Sequence, residues 1–242
     1  MKMSQVRILS QALGAVAQLV RVPACHAGCR GFKSHQSRCP FYIMSYKTDY
    51  YQIPTAIDKT LAAHIIKTVH KFGSDKTKSM VGGMGELGDG SLSSGILDRA
   101  KRNSSQRWIP TDNWVAGMMA HFIREANKNF YNFDLIGWSD QIQYTEYKGA
   151  GKHYSWHADS MESAILPGTV RKLSISLLLS DPKDYEGGEF QIMYPGNSGM
   201  QTLKPELGQA IIFPSYAMHR VRPLKSGNRV SLVGWYGGPP FR

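Results

Sequence analysis

The stretch QIQYTEYKGAGKHYSWHAD at residues 141–159 contains two short runs rich in β-branched and aromatic residues. The turn Gly149-Ala150-Gly151 separates the two runs, as turn residues do between short strands. Five further runs of this kind follow, and the breaks between them carry Gly, Pro, Asp or Asn. The predicted strands are 141–147, 153–157, 173–179, 189–193, 209–213, 219–222 and 229–236. Many short strands at this spacing predict a mainly β fold, an antiparallel sandwich or jelly roll.

Two amphipathic helices are predicted upstream of these strands. Apolar residues recur every three or four positions in 54–73, which indicates a helix that begins near Pro54 and stops at Gly73. A second helix is predicted after Pro110, with Thr111 as its cap, and is expected to end near residue 128. The expected buried stripes are Ile57, Leu61, Ile65, Val69 and Phe72 in the first helix and Trp114, Met118, Phe122 and Ala126 in the second. We expect both helices to cover one outer face of the sheets.

Length and composition favour a single working domain at residues 44–242. The chain has 242 residues and no long uncharged apolar run, so a membrane span is not expected. It carries 29 Lys and Arg against 18 Asp and Glu, but residues 1–43 contain six of the basic residues and no acidic one. The remaining surplus is small and does not require a nucleic-acid partner. We assign helical support to 54–136 and the jelly-roll core to 137–242.

Residues 1–43 differ in composition from the rest and admit four interpretations. They contain all the cysteines of the chain, which are Cys25, Cys29 and Cys39. The first interpretation is a zinc site, although the usual C-x2-C pairs are missing, and the second is a targeting signal, although glutamines interrupt its apolar run. The third is a solvated basic tail. The fourth, which we favour, is an artefactual upstream translation, because AQLVRVPACHAGCRGFKS resembles translated transfer-RNA genes and Met44 then becomes the natural start.

The cysteine-free part of the chain directs attention to nitrogen and oxygen chemistry. Without cysteine, residues 44–242 have neither a disulfide framework nor a thiolate metal cluster, and we expect a cytoplasmic, intracellular location. His157 and Asp159 lie two apart at the end of a predicted strand, so both side chains point to the same side. His219 opens a later strand. Two histidines and one carboxylate on one face of a metal, with the other face open, are the ligands of non-haem Fe(II) oxygenases.

A predicted anion site follows the last of these ligands. Arg229 lies ten residues after His219, and Ser231 shares its strand face. A guanidinium binds a carboxylate through two parallel hydrogen bonds, and the serine hydroxyl adds a third donor. The pattern therefore predicts a carboxylate-bearing co-substrate beside the metal. The alternative is that Arg229 pairs with a structural acid of the protein.

Residues 141–236 resemble the iron- and 2-oxoglutarate-dependent dioxygenases, and most closely the prolyl 4-hydroxylase branch. Four motifs follow one another in the order of that family over about 100 residues. They are Tyr147-Lys148-Gly149-Ala150-Gly151 leading to Tyr154 and His157-Ala158-Asp159, then Asp184-Tyr185-Glu186-Gly187-Gly188-Glu189-Phe190, then Gly208-Gln209-Ala210-Ile211-Ile212-Phe213-Pro214 before His219, and Arg229-Val230-Ser231.

The resemblance implies a fold, a set of cofactors and a role for each matched residue. The fold would be a double-stranded β-helix, a jelly roll, with Fe(II) held in its mouth by His157, Asp159 and His219. The co-substrate 2-oxoglutarate would be bound by Arg229, Ser231 and Tyr147. Such an enzyme uses O2, hydroxylates its substrate and releases succinate and CO2, and ascorbate is a further expected factor. The presence of Asp159 favours hydroxylation over the halogenation of relatives that lack this carboxylate.

The expected substrate is a prolyl residue in a protein or peptide, and two alternatives stay open. One is the same oxygenase chemistry on a free amino acid, another side chain or an alkylated nucleic acid. The other is a jelly-roll binding module without activity, against which the intact metal and anion residues speak. The aromatic residues Trp156, Trp235 and Tyr236 are expected near the mouth, as substrate contacts or as core packing. The sequence does not define the oligomeric state.

The motif GMGELG at residues 83–88 fits the pattern G-x-G-x-x-G. No convincing strand precedes it and no βαβ unit surrounds it, so a dinucleotide site is not expected. We interpret the glycine- and serine-rich residues 81–95 as a substrate lid, with an ordinary flexible linker as the alternative.

Overall fold

The computed structural model of the chain describes residues 50–72, 76–79, 98–193 and 199–241, and the strand backbone of 85–86 and 92–93. The expectations for residues 1–43, and those for the lid apart from these two short strands, lie outside the described residues. The helices are α1 (Lys59–Phe72) and α2 (Trp114–Ala126), and a π-helical turn, Asn127–Tyr131, follows α2. A 3-10 turn covers Pro182–Asp184.

The strands account for most of the regular structure. They are β1 (Tyr51–Ile53), β2 (Thr77–Lys78), β3 (Gly85–Glu86), β4 (Leu92–Ser93), β5 (Arg102–Asn103), β6 (Ser105–Ile109), β7 (Gly137–Trp138), β8 (Ile142–Lys148), β9 (His153–His157), β10 (Val170–Leu178), β11 (Tyr185–Gly187), β12 (Phe190–Met193), β13 (Met200–Leu203), β14 (Ala210–Pro214), β15 (Met218–Val221) and β16 (Leu224–Gly238).

Two antiparallel sheets form the body of the fold. The larger sheet follows the order β1-β14-β10-β16-β8-β6-β2, and β7 and β11 also pair with β16. The smaller sheet follows the order β13-β12-β15-β9-β5, and β3 pairs with β4 separately. Apolar side chains from the inner faces of both sheets pack together, including Phe213 of the larger sheet and Phe190 and Ile192 of the smaller. The predicted mainly β jelly roll with flanking helices is confirmed.

The main hydrophobic core lies on the other face of the larger sheet, under the helices. Alternate residues of β10 and β16, such as Ile175 and Leu232, point outward and are fully buried. Ile65 of α1 and Met119 and Ile123 of α2 belong to the same cluster and are also fully buried. The larger sheet therefore separates a helix-covered apolar core from the space between the two sheets.

Both helices begin later than the sequence pattern predicts. Asp58, rather than Pro54, starts α1, because its carboxylate accepts a hydrogen bond of 2.7 Å from the backbone N–H of Leu61. Asn113, rather than Thr111, caps α2 and accepts from the backbone N–H of Val115 at 2.9 Å. No helix in the described ranges is long enough and apolar enough to cross a membrane. The cytoplasmic location stays a prediction.

The predicted buried stripe of α2 is only partly correct: Ala126 is fully buried and Met118 and Phe122 pack partly buried against the core, but the fully buried series is shifted by one position. The structure buries Val115, Met119 and Ile123, whereas Trp114 of the predicted stripe is 44% exposed. Both series are apolar at a spacing of four, so periodicity alone does not choose between them. The small side chains of Ala116 and Ala120 lie beside the buried series and let the helix approach the sheet closely.

The sheets extend beyond the predicted jelly-roll core. Strands β2, β5 and β6 come from residues 54–136, which were expected to supply helical support only, and β1 lies just before them. Strand β6 pairs with β8 along its whole length, from Ser105 opposite Glu146 to Ile109 opposite Ile142. Three of the five residues in its sequence, SQRWI, are only half-buried, and the strand is mostly polar. It therefore lacks the alternation of apolar and polar residues that predicts a strand.

One glycine connects the start of α1 to the larger sheet. Gly208 has φ +77°, and its carbonyl oxygen accepts hydrogen bonds from the backbone N–H groups of Ala56 (2.9 Å) and Ile57 (3.1 Å). Its own N–H donates to the carbonyl of Leu178 in β10 at 2.9 Å. A Cβ atom at this position would collide with the carbonyl oxygen of Ile57. Only glycine fits both the backbone conformation and the space.

We expect Gly208→Ala to lower the free energy of unfolding by at least about 2 kcal/mol, since it adds left-handed strain to a backbone collision. The matched control is Gly117→Ala in α2, where a Cβ meets nothing within 4 Å. That change is expected to raise the free energy of unfolding by about 0.4–1 kcal/mol. Urea denaturation of both variants measures the difference. Equal stability of the two variants would contradict the role of Gly208.

Candidate metal centre

Two neighbouring strands of the smaller sheet place the three predicted metal ligands. His157 ends β9 and lies directly opposite His219 of β15 in the antiparallel register. Asp159 follows two residues after His157, and its backbone N–H donates to the carbonyl of Ser215 at 2.8 Å, which holds the chain as it leaves the strand. The two histidines and the carboxylate therefore converge in the space between the sheets.

The distances within this group suit a single metal ion. The Nε2 atom of His157 lies 3.6 Å from one carboxylate oxygen of Asp159, and the Nε2 atom of His219 lies 3.4 Å from the other. One ligand atom from each of the three residues lies within 4.8 Å of the other two. The three side chains are only 7–9% exposed. This is the single group of three such ligands in the described part of the chain.

Both imidazole rings are oriented by the backbone. The Nδ1 atom of His157 lies 2.8 Å from the carbonyl oxygen of Ser155, and the Nδ1 atom of His219 lies 2.9 Å from that of Ala217. A carbonyl oxygen only accepts, so each Nδ1 carries the proton and donates it. Each Nε2 atom is then the ring nitrogen that faces Asp159 and can bind a metal.

The protonation states also suit metal binding. Burial, helped by the nearby His219, lowers the pKa of His157 to about 3 despite the opposing charge of Asp159. Burial alone would raise the pKa of Asp159, but the neighbouring His219, His157 and Arg171 together lower it to about 2. At neutral pH the imidazole of His157 is therefore unprotonated and the carboxylate is ionised, which are the forms that bind a divalent cation.

A chain of hydroxyl groups holds the carboxylate of Asp159. The hydroxyl of Ser174 in β10 donates to this carboxylate at 2.8 Å, and the hydroxyl of Ser215 lies 3.0 Å from that of Ser174. Arg171 donates to the backbone carbonyl of Asp159 at 3.4 Å and forms an ion pair with Asp140 at 2.7 Å. Such contacts behind a metal ligand fix its position before the ion arrives.

Aromatic rings enclose the two histidines. The ring of Tyr154 stacks on that of His157 with a centroid distance of 3.5 Å and an angle of 16° between the planes. Phe213 of the larger sheet meets the ring of His219 edge-on at 4.7 Å. These contacts restrict the rotation of both imidazoles and keep bulk water away from the ligand atoms.

Arg229 of β16, the residue predicted to bind an anion, is deeply buried. The side chain is only 1% exposed, and its Nη1 donates to the hydroxyl oxygen of Ser231 at 3.3 Å, which leaves the hydroxyl proton free for another acceptor. Its Nε atom has no hydrogen-bond partner among the described residues, and no carboxylate among them lies within ion-pair distance of the guanidinium. The alternative of a structural acid partner is therefore not supported in the described part of the chain.

Tyr147 lies beside this arginine. It is directly opposite Arg229 in the register of β8 and β16, and the guanidinium lies 5.7 Å from the centre of its ring. The side chain is 3% exposed, and burial raises the pKa of its hydroxyl despite the nearby charges of Arg102 and Arg229. Tyr147 thus remains protonated, and its O–H group lies near Arg102 and Ser104 as well as Arg229.

The predicted iron and 2-oxoglutarate fit this site. Two lone pairs of Nε2 atoms and one carboxylate meet on one side of a shared centre, which is the ligand set expected of a non-haem Fe(II) ion. A buried guanidinium without an acidic partner requires an anion, and its fork of N–H donors matches a carboxylate. The structure therefore brings the three predicted metal ligands together and places Arg229, Ser231 and Tyr147 close to one another on the facing sheet.

The three predicted substrate aromatics lie in different places. Trp235 is on the inner face of β16, 5% exposed, with Arg171 4.2 Å over its ring, and its N–H is directed toward Asp159 and helps lower the pKa of that carboxyl. Trp156 precedes His157 in β9, so it points to the opposite face, where Arg220 lies 4.6 Å over its ring. The expectation that Trp156 lines the mouth is corrected by this alternation.

The expectation that Tyr236 lies near the mouth is also corrected, and its alternative role in core packing holds. It points to the outer face of β16, is 3% exposed and belongs to the core under the helices. Its hydroxyl accepts a hydrogen bond of 2.9 Å from Arg124 of α2. The residue therefore packs in the core and does not contact the metal centre. Its neighbour Trp235 points inward because side chains alternate along the strand.

The sequence analysis did not single out three residues that contribute to the site. Ser174 and Arg171 position Asp159, as described above, but a serine and an arginine in a strand give no signal by themselves. Arg102 of β5 is 6% exposed, and its guanidinium lies 4.4 Å over the ring of Tyr154. Its short strand carries no apolar pattern, so neither its burial nor its direction was predictable.

Comparison with known proteins agrees with the geometry. Residues 142–237 match the model of a family described as the 2OG-Fe(II) oxygenase superfamily. The chain is similar to a PKHD-type hydroxylase of Maricaulis maris, with 28% identity over 179 residues that make up 71% of this chain and 75% of that protein. A PKHD-type hydroxylase of Synechococcus sp. (strain CC9902) is 41% identical over 87 residues, 35% of this chain and 36% of that protein.

A solved structure shares the fold. The viral collagen prolyl hydroxylase vCPH from Paramecium Bursaria Chlorella virus-1, in a 2OG complex, superposes with a TM-score of 0.55. The superposition covers 78% of this chain and 96% of that protein at 20% sequence identity. The likeness supports the jelly-roll arrangement of the two sheets.

We expect Ser174→Ala to lower the affinity for Mn(II), a redox-stable substitute for Fe(II), by about tenfold to a hundredfold, because Asp159 loses the donor that positions it. Ser176→Ala is the matched control, since Ser176 is on the same strand and face but its side chain makes no hydrogen bond among the described residues. Titration followed by electron paramagnetic resonance measures free Mn(II). Equal affinities of the two variants would show that Ser174 does not position the ligand.

Proposed function

Since residues 142–237 belong to the 2OG-Fe(II) oxygenase superfamily, we propose that the protein is an Fe(II)- and 2-oxoglutarate-dependent hydroxylase that acts on a prolyl residue of a protein or peptide. One observation carries the proposal: His157, Asp159 and His219 converge within 4.8 Å, and a buried arginine without an acidic partner lies on the facing sheet. We further propose that residues 44–242 form the catalytic domain.

The metal ligands are arranged before any ion binds. The Nε2 atoms of His157 and His219 and the carboxylate of Asp159 would hold Fe(II) on one side and leave the opposite side open. When bound, Fe(II) and 2-oxoglutarate supply the oxidising chemistry, in which O2 is consumed, 2-oxoglutarate becomes succinate and CO2, and the substrate gains a hydroxyl group. Backbone carbonyls accept the proton of Nδ1 in each imidazole and so direct Nε2 toward the metal.

The anion site would orient 2-oxoglutarate. Arg229 would bind the carboxylate remote from the metal through its guanidinium, and the hydroxyl protons of Ser231 and Tyr147 would donate to the same group. The site is nearly inaccessible to solvent, which strengthens these charged hydrogen bonds and excludes water from the reacting atoms. Ascorbate as a further factor stays a prediction.

The names of similar proteins support a prolyl substrate. The relatives in Maricaulis maris and Synechococcus are called PKHD-type hydroxylases, and the viral protein with the shared fold is called a collagen prolyl hydroxylase. Trp235 is the aromatic residue of the predicted three that faces the metal centre, and its flat ring suits contact with a pyrrolidine ring.

The first test is Fe(II)-dependent turnover of 2-oxoglutarate by the full-length protein with proline-containing peptides. We expect succinate to form, a product peptide to gain the mass of one oxygen atom on proline, and His219→Ala to abolish both. His121→Ala is the control, because His121 lies on the exposed side of α2 and away from the ligand set. Succinate with modification of another residue type would reject prolyl hydroxylation but retain the oxygenase, whereas no Fe(II)-dependent succinate would reject the enzyme.

A second test addresses the anion site. We expect Arg229→Ala to raise the KM for 2-oxoglutarate by about tenfold to a hundredfold, because it removes charge-assisted hydrogen bonds from a buried carboxylate. In the Mn(II)-loaded protein, 2-oxoglutarate should raise the Tm of the wild type but not that of this variant. Arg222→Ala is the control, since Arg222 is half exposed and 3.8 Å from Glu189. An unchanged KM in Arg229→Ala would refute the assignment.

A further inference from the structure

Arg102 is a second buried arginine near the metal centre, and its charge has no acidic partner among the described residues. The side chain is 6% exposed. Its hydrogen bonds go to neutral acceptors, with Nη2 donating to the side-chain oxygen of Gln143 at 2.6 Å and Nε donating to the hydroxyl of Ser104 at 3.2 Å. Among the described residues, no hydrogen bond uses its Nη1 group. Burying a guanidinium in this way is unfavourable unless an anion joins it.

This arginine is close to the metal centre and to Tyr147, but it lies on the smaller sheet, whereas Arg229 lies on the larger one. Strand β5 pairs with β9 so that Arg102 lies opposite Tyr154, and the guanidinium lies 4.4 Å over the tyrosine ring. The same ring stacks on the metal ligand His157. A group bound by Arg102 would therefore be one aromatic ring away from the metal ligands, whereas Arg229 approaches them from the larger sheet.

A small pocket with a basic rim opens onto Arg102. Its volume is about 130 Å³, and its charged lining residues are Lys78, Arg99, Arg102, Lys148, Lys152 and Glu146. The single acid of this set is already engaged, because Glu146 accepts from Lys76 and, at 3.0 Å, from Asn228. The pocket therefore has a strong positive charge that no described residue neutralises. Its floor contains the hydroxyls of Ser79 and Ser104, which are 2.8 Å apart.

We propose that this basic pocket receives an aspartate or glutamate side chain of the peptide substrate, close in sequence to the residue that is hydroxylated. The proposal rests on the proposed function and names a substrate feature. A volume of 130 Å³ is that of roughly four water molecules, which accommodates one short acidic side chain but not a whole peptide. The planar N–H groups of Arg102 bind a carboxylate well, and the lysines on the rim attract the acidic segment.

The test compares paired proline peptides that carry glutamate or glutamine at one position, moved stepwise along both sides of the proline. Binding to the full chain loaded with Mn(II) and 2-oxoglutarate is measured without O2 by fluorescence anisotropy of labelled peptides. We expect glutamate to be preferred about tenfold or more at one position, and the preference to fall at high salt. Equal or undetectable binding of both members of every pair would overturn the proposal.

Substitutions of residues that line the pocket test whether the pocket causes the preference for glutamate. Arg102→Gln is expected to reduce the binding of the glutamate peptide to that of its glutamine partner. Lys152→Gln, at the rim, tests the same pocket without removing the buried arginine, and we expect it to reduce the preference by about threefold. Lys225→Gln is the control, because Lys225 is 70% exposed and pairs with Glu186 away from the pocket, and it should retain the full preference.

Two outcomes separate this proposal from the proposed function. If Arg102→Gln raises the KM for 2-oxoglutarate but keeps the glutamate preference, Arg102 belongs to the co-substrate site and the proposal is overturned. If the wild type forms succinate with Fe(II) but shows no glutamate preference in turnover or binding, the proposal fails and the oxygenase stands. If no Fe(II)-dependent succinate forms, the proposed function fails independently of the peptide binding.

Discussion

The hydrogen-bonded register between β9 and β15 is the constraint on which the metal centre depends. It places His157 opposite His219, and the continuation of β9 brings Asp159 to the same point. Three polar ligands are thus concentrated in a buried space, which would be unfavourable without a compensating charge. Hydrogen bonds from the imidazole rings to backbone carbonyls, and from the hydroxyl of Ser174 to Asp159, stabilise this arrangement. The rest of the fold serves to keep these two strands in place.

The two faces of the larger sheet have different roles, one in stability and the other in the candidate site. Its outer face packs under α1 and α2 and carries most of the buried apolar side chains, whereas its inner face supplies Arg229, Ser231, Tyr147 and Ser174. The apolar core can therefore stabilise the protein without placing apolar groups where charged ligands have to bind. The smaller sheet supplies the histidines and closes the other side, so the chemistry occurs where both sheets contribute polar groups.

Much of the fold and of the candidate site was predictable from the sequence, and the features that were not predicted have physical causes. The strands of the core were predictable because turn residues separate runs of β-branched and aromatic residues, and the ligand set because H-x-D follows the strand period. Which apolar face of α2 is fully buried was not predictable, since two adjacent series of apolar residues have the same spacing of four. Trp156 and Tyr236 were misplaced because proximity in sequence was taken for proximity in space, although alternate strand residues face opposite ways. Arg102, in a short polar strand, became visible only once β5 was seen to pair with β9.

Alternate residues of strand β16 face the polar site between the sheets and the apolar core under the helices. Arg229, Ser231 and Trp235 face inward, while Val230, Leu232 and Tyr236 face the helices. An in-frame insertion of a single codon within this strand would exchange the two sets, exposing apolar residues to the polar interior and driving a guanidinium into the helical core. Divergence among descendants of this gene is therefore restricted here to substitutions, and length changes have to fall in the connecting loops.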